Sequence, residues 1–163
     1  NTISNVPQQV FILDDTISAN IAYGVEEENR DDEKIWKVLK ITQMADYIMT
    51  LPDKIGTVLG ERGTRFSIGQ CQRLGIARAL YRDPDILLFD EATSALDQKT
   101  ERQIMDCIHA LRGRMTIVMI AHRLSTIEAC DHIYLVENGC ITDQGNYGEL
   151  CEKPYLRELL KLS

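Results

Sequence analysis

The chain has 163 residues, of which 44% are hydrophobic, 26% charged and 6% aromatic; this suits one folded domain with its own core and excludes disordered, collagen-like and mucin-like classes. A formal net charge of −7 opposes the basic footprint of a protein that grips a nucleic-acid backbone, so no nucleic acid is expected as a partner. No apolar run exceeds the five residues 117–121, against the roughly 20 that span a bilayer, and the polar start Asn1-Thr2-Ile3-Ser4 lacks leader character. Cys71, Cys107, Cys130, Cys140 and Cys151 are odd in number and widely spaced, which fits a reducing compartment rather than a disulfide framework or a C-x-x-C metal site.

In chain order, Ile3 to Val6 reads as the end of a strand running into a loop at Pro7-Gln8-Gln9. Val10 to Leu13 is too short and apolar to classify, and Asp14-Asp15-Thr16 supplies the start of a short helix through Ile21. The acidic stretch Glu26 to Glu33 leads into Ile35, Val38 and Leu39 at helical spacing, and reads as a solvated helix entrance in preference to a metal cluster. A helix is expected over Met44 to Met49, then an irregular segment marked by Pro52, Gly56, Gly60 and Gly63. Ser67 opens a helix carrying Leu74, Ala77, Leu80 and Tyr81, which stops at Asp83-Pro84.

From there strands and helices alternate. Ile86 to Phe89 is an apolar strand ended by Asp90 and Glu91, Thr100 to Leu111 a helix, Thr116 to Ala121 a strand, and Leu124 to Cys130 a helix. Ile133 to Val136 and Cys140 to Thr142 form a hairpin about Asn138-Gly139, and Leu150 with Tyr155 to Leu162 closes the chain with helical spacing. Strands apolar throughout and separated by helices predict a parallel sheet covered on both faces.

Open parallel sheets bind ligands beyond the carboxyl ends of their strands. The residues there are Gln8, Asp90 with Glu91, and His122, each of which alone also suits a solvated strand end. Neighbouring residues on an extended chain point apart, so Asp90 and Glu91 are expected to have separate tasks. A buried run ended by Asp is how phosphate-binding folds hold Mg²⁺, and a following Glu can polarise water for attack on phosphorus; the reading is a hydrolytic nucleotide site. Ser67-Ile68-Gly69-Gln70 matches a capping box, which suffices as a structural explanation. Gly69 in the first turn, however, costs up to ~1 kcal/mol of helix propensity, and bare backbone at a helix N-terminus is what a phosphate approaches, so capping and anion binding stand side by side.

These residues resemble the nucleotide-binding domain of ATP-binding cassette (ABC) transporters. Phe66 to Arg73 is similar to the signature L-S-G-G-Q-x-Q-R, Ile86 to Glu91 to Walker B with its glutamate, Ser94-Ala95-Leu96-Asp97 to the D-loop, His122 to the switch histidine and Gln8 to the Q-loop glutamine. Thr57 to Gly63 resembles the T-x-V-G-E-R-G loop of exporter-type cassettes, similar to lipid/polysaccharide or multidrug exporters, and Asp85 to Asp97 with Asp131 to Gly139 resembles lipid and polysaccharide exporters, with much of this wording shared by peptide exporters.

The resemblance implies an α/β, P-loop NTPase-like fold: a three-layer parallel sheet with a helical subdomain, its N-terminal part missing. It divides the chain into a Q-loop region over 1–25, a helical subdomain with signature helix over 26–82, and an α/β core with C-terminal helix over 83–163. ATP and Mg²⁺ are the implied cofactors, with Asp90 and Gln8 at the metal, Glu91 as general base and His122 at the γ-phosphate. Ser67, Gly69 and Gln70 would reach the nucleotide of a second, head-to-tail nucleotide-binding domain, and Asp97 would link the two sites. Coupling helices of a transmembrane domain complete the partners, at the cytoplasmic face of the cell membrane.

Two departures stand out. Ile68 replaces a signature glycine and is expected to weaken, not abolish, closure onto the partner nucleotide. No G-x-x-x-x-G-K-[ST] occurs, since none of the ten glycines precedes a lysine, so the chain reads as a fragment with little ATPase activity by itself. The alternative is a non-hydrolytic module that lends its signature helix in trans. A DNA-repair or translation-factor cassette fits neither the exporter-type loop nor the net charge.

Overall fold

Three parallel strands in the order β1-β2-β3 form the sheet of the first of two compact units, Asn1–Ile120 and Ala121–Ser163, in a computed structural model that describes residues 2–60, 63–90, 98–121 and 124–153. They are β1 (Ile3–Val6), β2 (Ile86–Asp90) and β3 (Thr116–Ile120). Val6 pairs with Phe89 and Asp90 with Ile120. Alternation puts Ser4, Val6, Leu87 and Phe89 on one face, where all are buried. Ile3, Val118 and Ile120 lie on the other and are 68%, 46% and 50% exposed. Cover on both faces is therefore met on one face only among the described residues: a run such as Thr116–Ile120 is apolar on both sides, and one side meets a packed layer.

The helices of this unit are α1 (Ile17–Ile21), α2 (Asp32–Ile41), α3 (Ala45–Met49), α4 (Ile68–Leu80) and α5 (Gln98–His109), with short 3₁₀ turns at Glu27–Asn29 and Lys54–Gly56. Local chemistry sets their starts: the Thr16 hydroxyl accepts from Ala19 N at 3.0 Å and the Asp31 carboxylate from Lys34 N at 2.9 Å. Asp31 to Glu33 thus form an exposed helix entrance, and Ile35, Val38 and Leu39 are buried behind it as their spacing predicts. The longest helix, α4, buries Leu74, Ile76, Ala77 and Leu80 and packs against α1, α2, β1 and α5. The chain leaves it through Asp83, held at φ 47° ahead of Pro84, which cannot continue a helix.

The second unit contains α6 (Leu124–Glu128), β4 (Ile133–Glu137), β5 (Cys140–Gly145) and α7 (Tyr147–Cys151). β4 and β5 form an antiparallel hairpin turned by Asn138 and Gly139 at φ 51° and 78°, the left-handed pair that this dipeptide favours. β5 continues three residues beyond the predicted Thr142, helped by a register shift at Leu135/Val136. The helix predicted over 155–162 lies outside the described residues. Among the described residues no helix is long and apolar enough to cross a membrane.

Candidate functional site

The carboxyl ends of β1 and β2 bring two of the predicted residues to one edge of the sheet. Because Val6 is level with Phe89, the chain leaves β1 at Pro7-Gln8 beside Asp90, and both Gln8 and Asp90 are exposed. A carboxylate and an amide are the hard oxygen donors that Mg²⁺ accepts, and the exposure leaves room for the water and phosphate oxygens that complete its shell. Among the described residues no group of three His, Cys, Asp or Glu side chains could hold a metal. Glu91 and His122, expected at the same edge, and Asp97, expected to link two sites, lie outside the described residues.

At the start of α4 both bonds of the capping box are present: Gln70 N donates to Ser67 Oγ at 3.2 Å, and Ser67 N donates to Gln70 Oε1 at 2.8 Å. Ser67 is exposed and Ile68, at the first helical position, is 71% exposed. Gly69 is buried. A Cβ there would run into the Thr100 side chain of α5, so the glycine is required by a close approach between helices. No acidic side chain occupies the first turn, which leaves the positive end of the helix dipole uncompensated.

A set of residues on the flank of α4, to which the sequence reading gives no site role although Gln72 lies in its signature-like stretch, holds the segment after Gln8. Gln72, 3% exposed, donates from Nε2 to the Pro7 carbonyl at 3.1 Å. Arg78 donates to the carbonyls of Phe11 at 2.8 Å and Asn20 at 2.7 Å, and to Asn20 Oδ1 at 3.0 Å. The available signal was Asn20 itself, a weak helix former in the middle of a short helix, which points to a hydrogen-bonding task. The exporter-type loop lies along the same segment: Ile17 N donates to Thr57 O at 3.0 Å and Leu59 N to Asp15 O at 3.1 Å, while Leu59 is fully buried.

Burial governs the titratable groups near α4. It pushes the Cys107 thiol up to about 11 and raises that of half-buried Cys71, so neither is an activated nucleophile. Desolvation also lowers the Arg73 and Arg78 guanidinium groups from their ordinary value, and Arg73 donates to the Gln43 carbonyl at 3.2 Å.

Comparison with known proteins gives a consistent result. A family model described as ABC transporter matches residues 1–94. The chain is 43% identical over 152 residues to the ATP-dependent lipid A-core flippase of Ralstonia nicotianae, covering 93% of this chain and 26% of that protein. It is 46% identical over 151 residues to the flippase of the same name from Saccharophagus degradans, covering 93% and 25%. The heterocyst differentiation ATP-binding protein HepA of a Nostoc species is 46% identical over 148 residues, covering 91% and 24%. Among solved structures, a bacterial Atm1-family ABC exporter with ATP bound superposes with a TM-score of 0.86 at 38% identity, covering 99% of this chain and 28% of that one. The chain spans about a quarter of the length of the curated relatives it matches.

Proposed function

This chain belongs to the ABC transporter family, and from that premise we propose that it supplies part of the ATP-hydrolysing engine of an exporter, working against a second nucleotide-binding domain in a head-to-tail dimer. The observation that supports this reading is that Gln8, two residues past the end of β1, and Asp90, the last residue of β2, follow the carboxyl ends of neighbouring parallel strands at one edge of the sheet. Asp90 would hold Mg²⁺ through water, and the ion would supply charge neutralisation at the β- and γ-phosphates. Gln8 would sense that metal and pass its state to the coupling helices of a transmembrane domain at the cytoplasmic face of the membrane.

Glu91 would accept a proton from the attacking water, and His122 would stabilise the γ-phosphate and position Glu91, as the resemblance implies. Ser67, Gly69 and Gln70 present the uncompensated N-terminus of α4 to the partner's nucleotide, where fixed N–H dipoles stabilise developing negative charge. Asp97 links the two sites. The names of the relatives, ATP-dependent lipid A-core flippases, favour an amphipathic lipid-linked cargo for the whole protein. Residues 1–25, 26–82 and 83–163 serve here as Q-loop region, signature-bearing helical subdomain and α/β core.

The test is Glu91→Gln in the full-length protein. ATP binding is expected to persist while turnover falls by at least about 100-fold, the usual share of a general base; steady-state hydrolysis near the wild-type rate rejects Glu91 as the base. A second reading, a non-hydrolytic module that lends α4 in trans, is favoured by one observation, the exposed Ile68 on the face meant for a phosphate. It gains ground if wild-type protein binds ATP only in the presence of a complete cassette.

A further inference from the structure

Residues 7–15 form neither helix nor strand, and side chains from outside the segment bond several of their backbone groups. One flank of α4 does much of this. Gln72 holds the Pro7 carbonyl at 3.1 Å, the bare Cα of Gly75 touches the Val10 methyls, and Arg78 holds the Phe11 carbonyl at 2.8 Å. Arg78 also grips Asn20, which in turn donates to Leu13 O at 3.1 Å and accepts from Leu13 N at 2.9 Å. Gln72, Gly75 and Arg78 are spaced by three, which keeps them on one side of the helix over about 9 Å of its axis. Gln72 and Asn20 are 3% and 1% exposed and their bonds are part-buried, so a lost donor would leave a carbonyl only partly hydrated. The carbonyl that Gln72 holds belongs to the peptide joining Pro7 to Gln8.

We infer that this flank of α4 is a clamp that makes residues 7–13 and the start of α4 one mechanical piece, with Gln72 as the positioning residue of Gln8. Movement of the segment after β1 then carries Ser67 with it, and the reverse. The consequence for catalysis rests on the function proposed above, in which Gln8 faces the chain's own nucleotide and Ser67 the partner's; the clamp itself does not.

Two measurements on the full-length protein separate these layers. Gln72→Met keeps length and apolar volume but removes the donor. Without nucleotide, amide hydrogen exchange over 8–13 is expected to quicken about tenfold while β2 and α2 keep their wild-type protection. Unchanged exchange over 8–13, or equal acceleration in β2 and α2, overturns the clamp. Gly75→Ala, which drives a methyl into Val10, is expected to loosen the same residues, and adding Val10→Ala to restore them; failure of that rescue also overturns it. In ATP hydrolysis Gln72→Met is expected to lower kcat about fivefold with KM within about twofold of wild type, because no nucleotide contact is removed. A wild-type kcat overturns the positioning role. Wild-type protein that hydrolyses no ATP rejects the proposed function instead, and the exchange result then judges the clamp alone.

Discussion

Two helices of this chain begin with the same local chemistry and differ in what surrounds it. α4 starts Ser67-Ile68-Gly69-Gln70 and α7 starts Asn146-Tyr147-Gly148-Glu149; each has a polar N-cap, a bulky first residue, a glycine and a long acceptor that completes a capping box. In α7 the third residue is an anion, Glu149, whose Oε2 accepts from Asn146 N at 2.9 Å and whose charge compensates the helix dipole. In α4 the neutral Gln70 makes the equivalent bond and leaves the dipole open. Gly69 is buried against Thr100, whereas Gly148 is exposed and, among the described residues, a Cβ there would meet only its own cap oxygen at 3.3 Å. The bulky residues diverge as well: hydrogen bonds to Cys151 and Glu128 raise the Tyr147 hydroxyl from its usual pKa, while Ile68 stands in solvent with no polar atom. A capping box therefore reports a helix start, and the missing charge and the packed glycine single out α4.

The largest effect is expected from copying the α7 charge onto α4. Gln70→Glu preserves the capping geometry but sets a carboxylate where a partner's phosphate would dock, and like charges at about 4 Å repel by about 4 kcal/mol at an effective dielectric of 20. ATP hydrolysis by the intact protein should fall at least about tenfold, with amide protection of α4 undiminished. A wild-type rate would mean that the two helix starts are equivalent and that α4 receives no anion.

Next in size is the glycine pair. Gly69→Ala must displace the Thr100 side chain and is expected to cost about 1–3 kcal/mol, read as lost amide protection in α4 and α5. Gly148→Ala, on an exposed site, should stay within about 0.5 kcal/mol. Equal losses at the two positions would remove the contrast. The smallest and most symmetrical effect belongs to the caps: Ser67→Ala and Asn146→Ala should each cost about 1 kcal/mol of local helix stability in exchange measurements. A much larger loss at one of them would show that its cap oxygen does more than cap.

Much of the fold was legible because the signals are local. Asp31, Ser67 and Asn138-Gly139 announce two helix starts and a hairpin turn through their own side-chain and backbone chemistry, and the stripe Ile35, Val38, Leu39 announces its buried face. Boundaries moved where tertiary contacts decide them: α5 begins at Gln98 instead of Thr100, and β5 runs on to Gly145. Of the site, Gln8 and Asp90 were legible as strand ends, and register puts both strand ends at one edge of the sheet. The flank Gln72, Gly75 and Arg78 was not legible, because a buried amide donor reveals its task only when the carbonyl it meets, 65 positions away, is known.

By itself the sequence determined which segments are helix and strand, the family resemblance through its ordered motifs, and the kinds of side chain available for phosphate and metal chemistry. Each follows from residue type and short-range spacing. Only the tertiary structure decided that one sheet face is packed while Ile3, Val118 and Ile120 stay exposed, that Thr100 takes the space beside Gly69, and that α4 grips the segment after β1. Those depend on which atoms distant in the chain come within a few ångströms, and burial, close approach and desolvated hydrogen bonds exist only once that proximity is set.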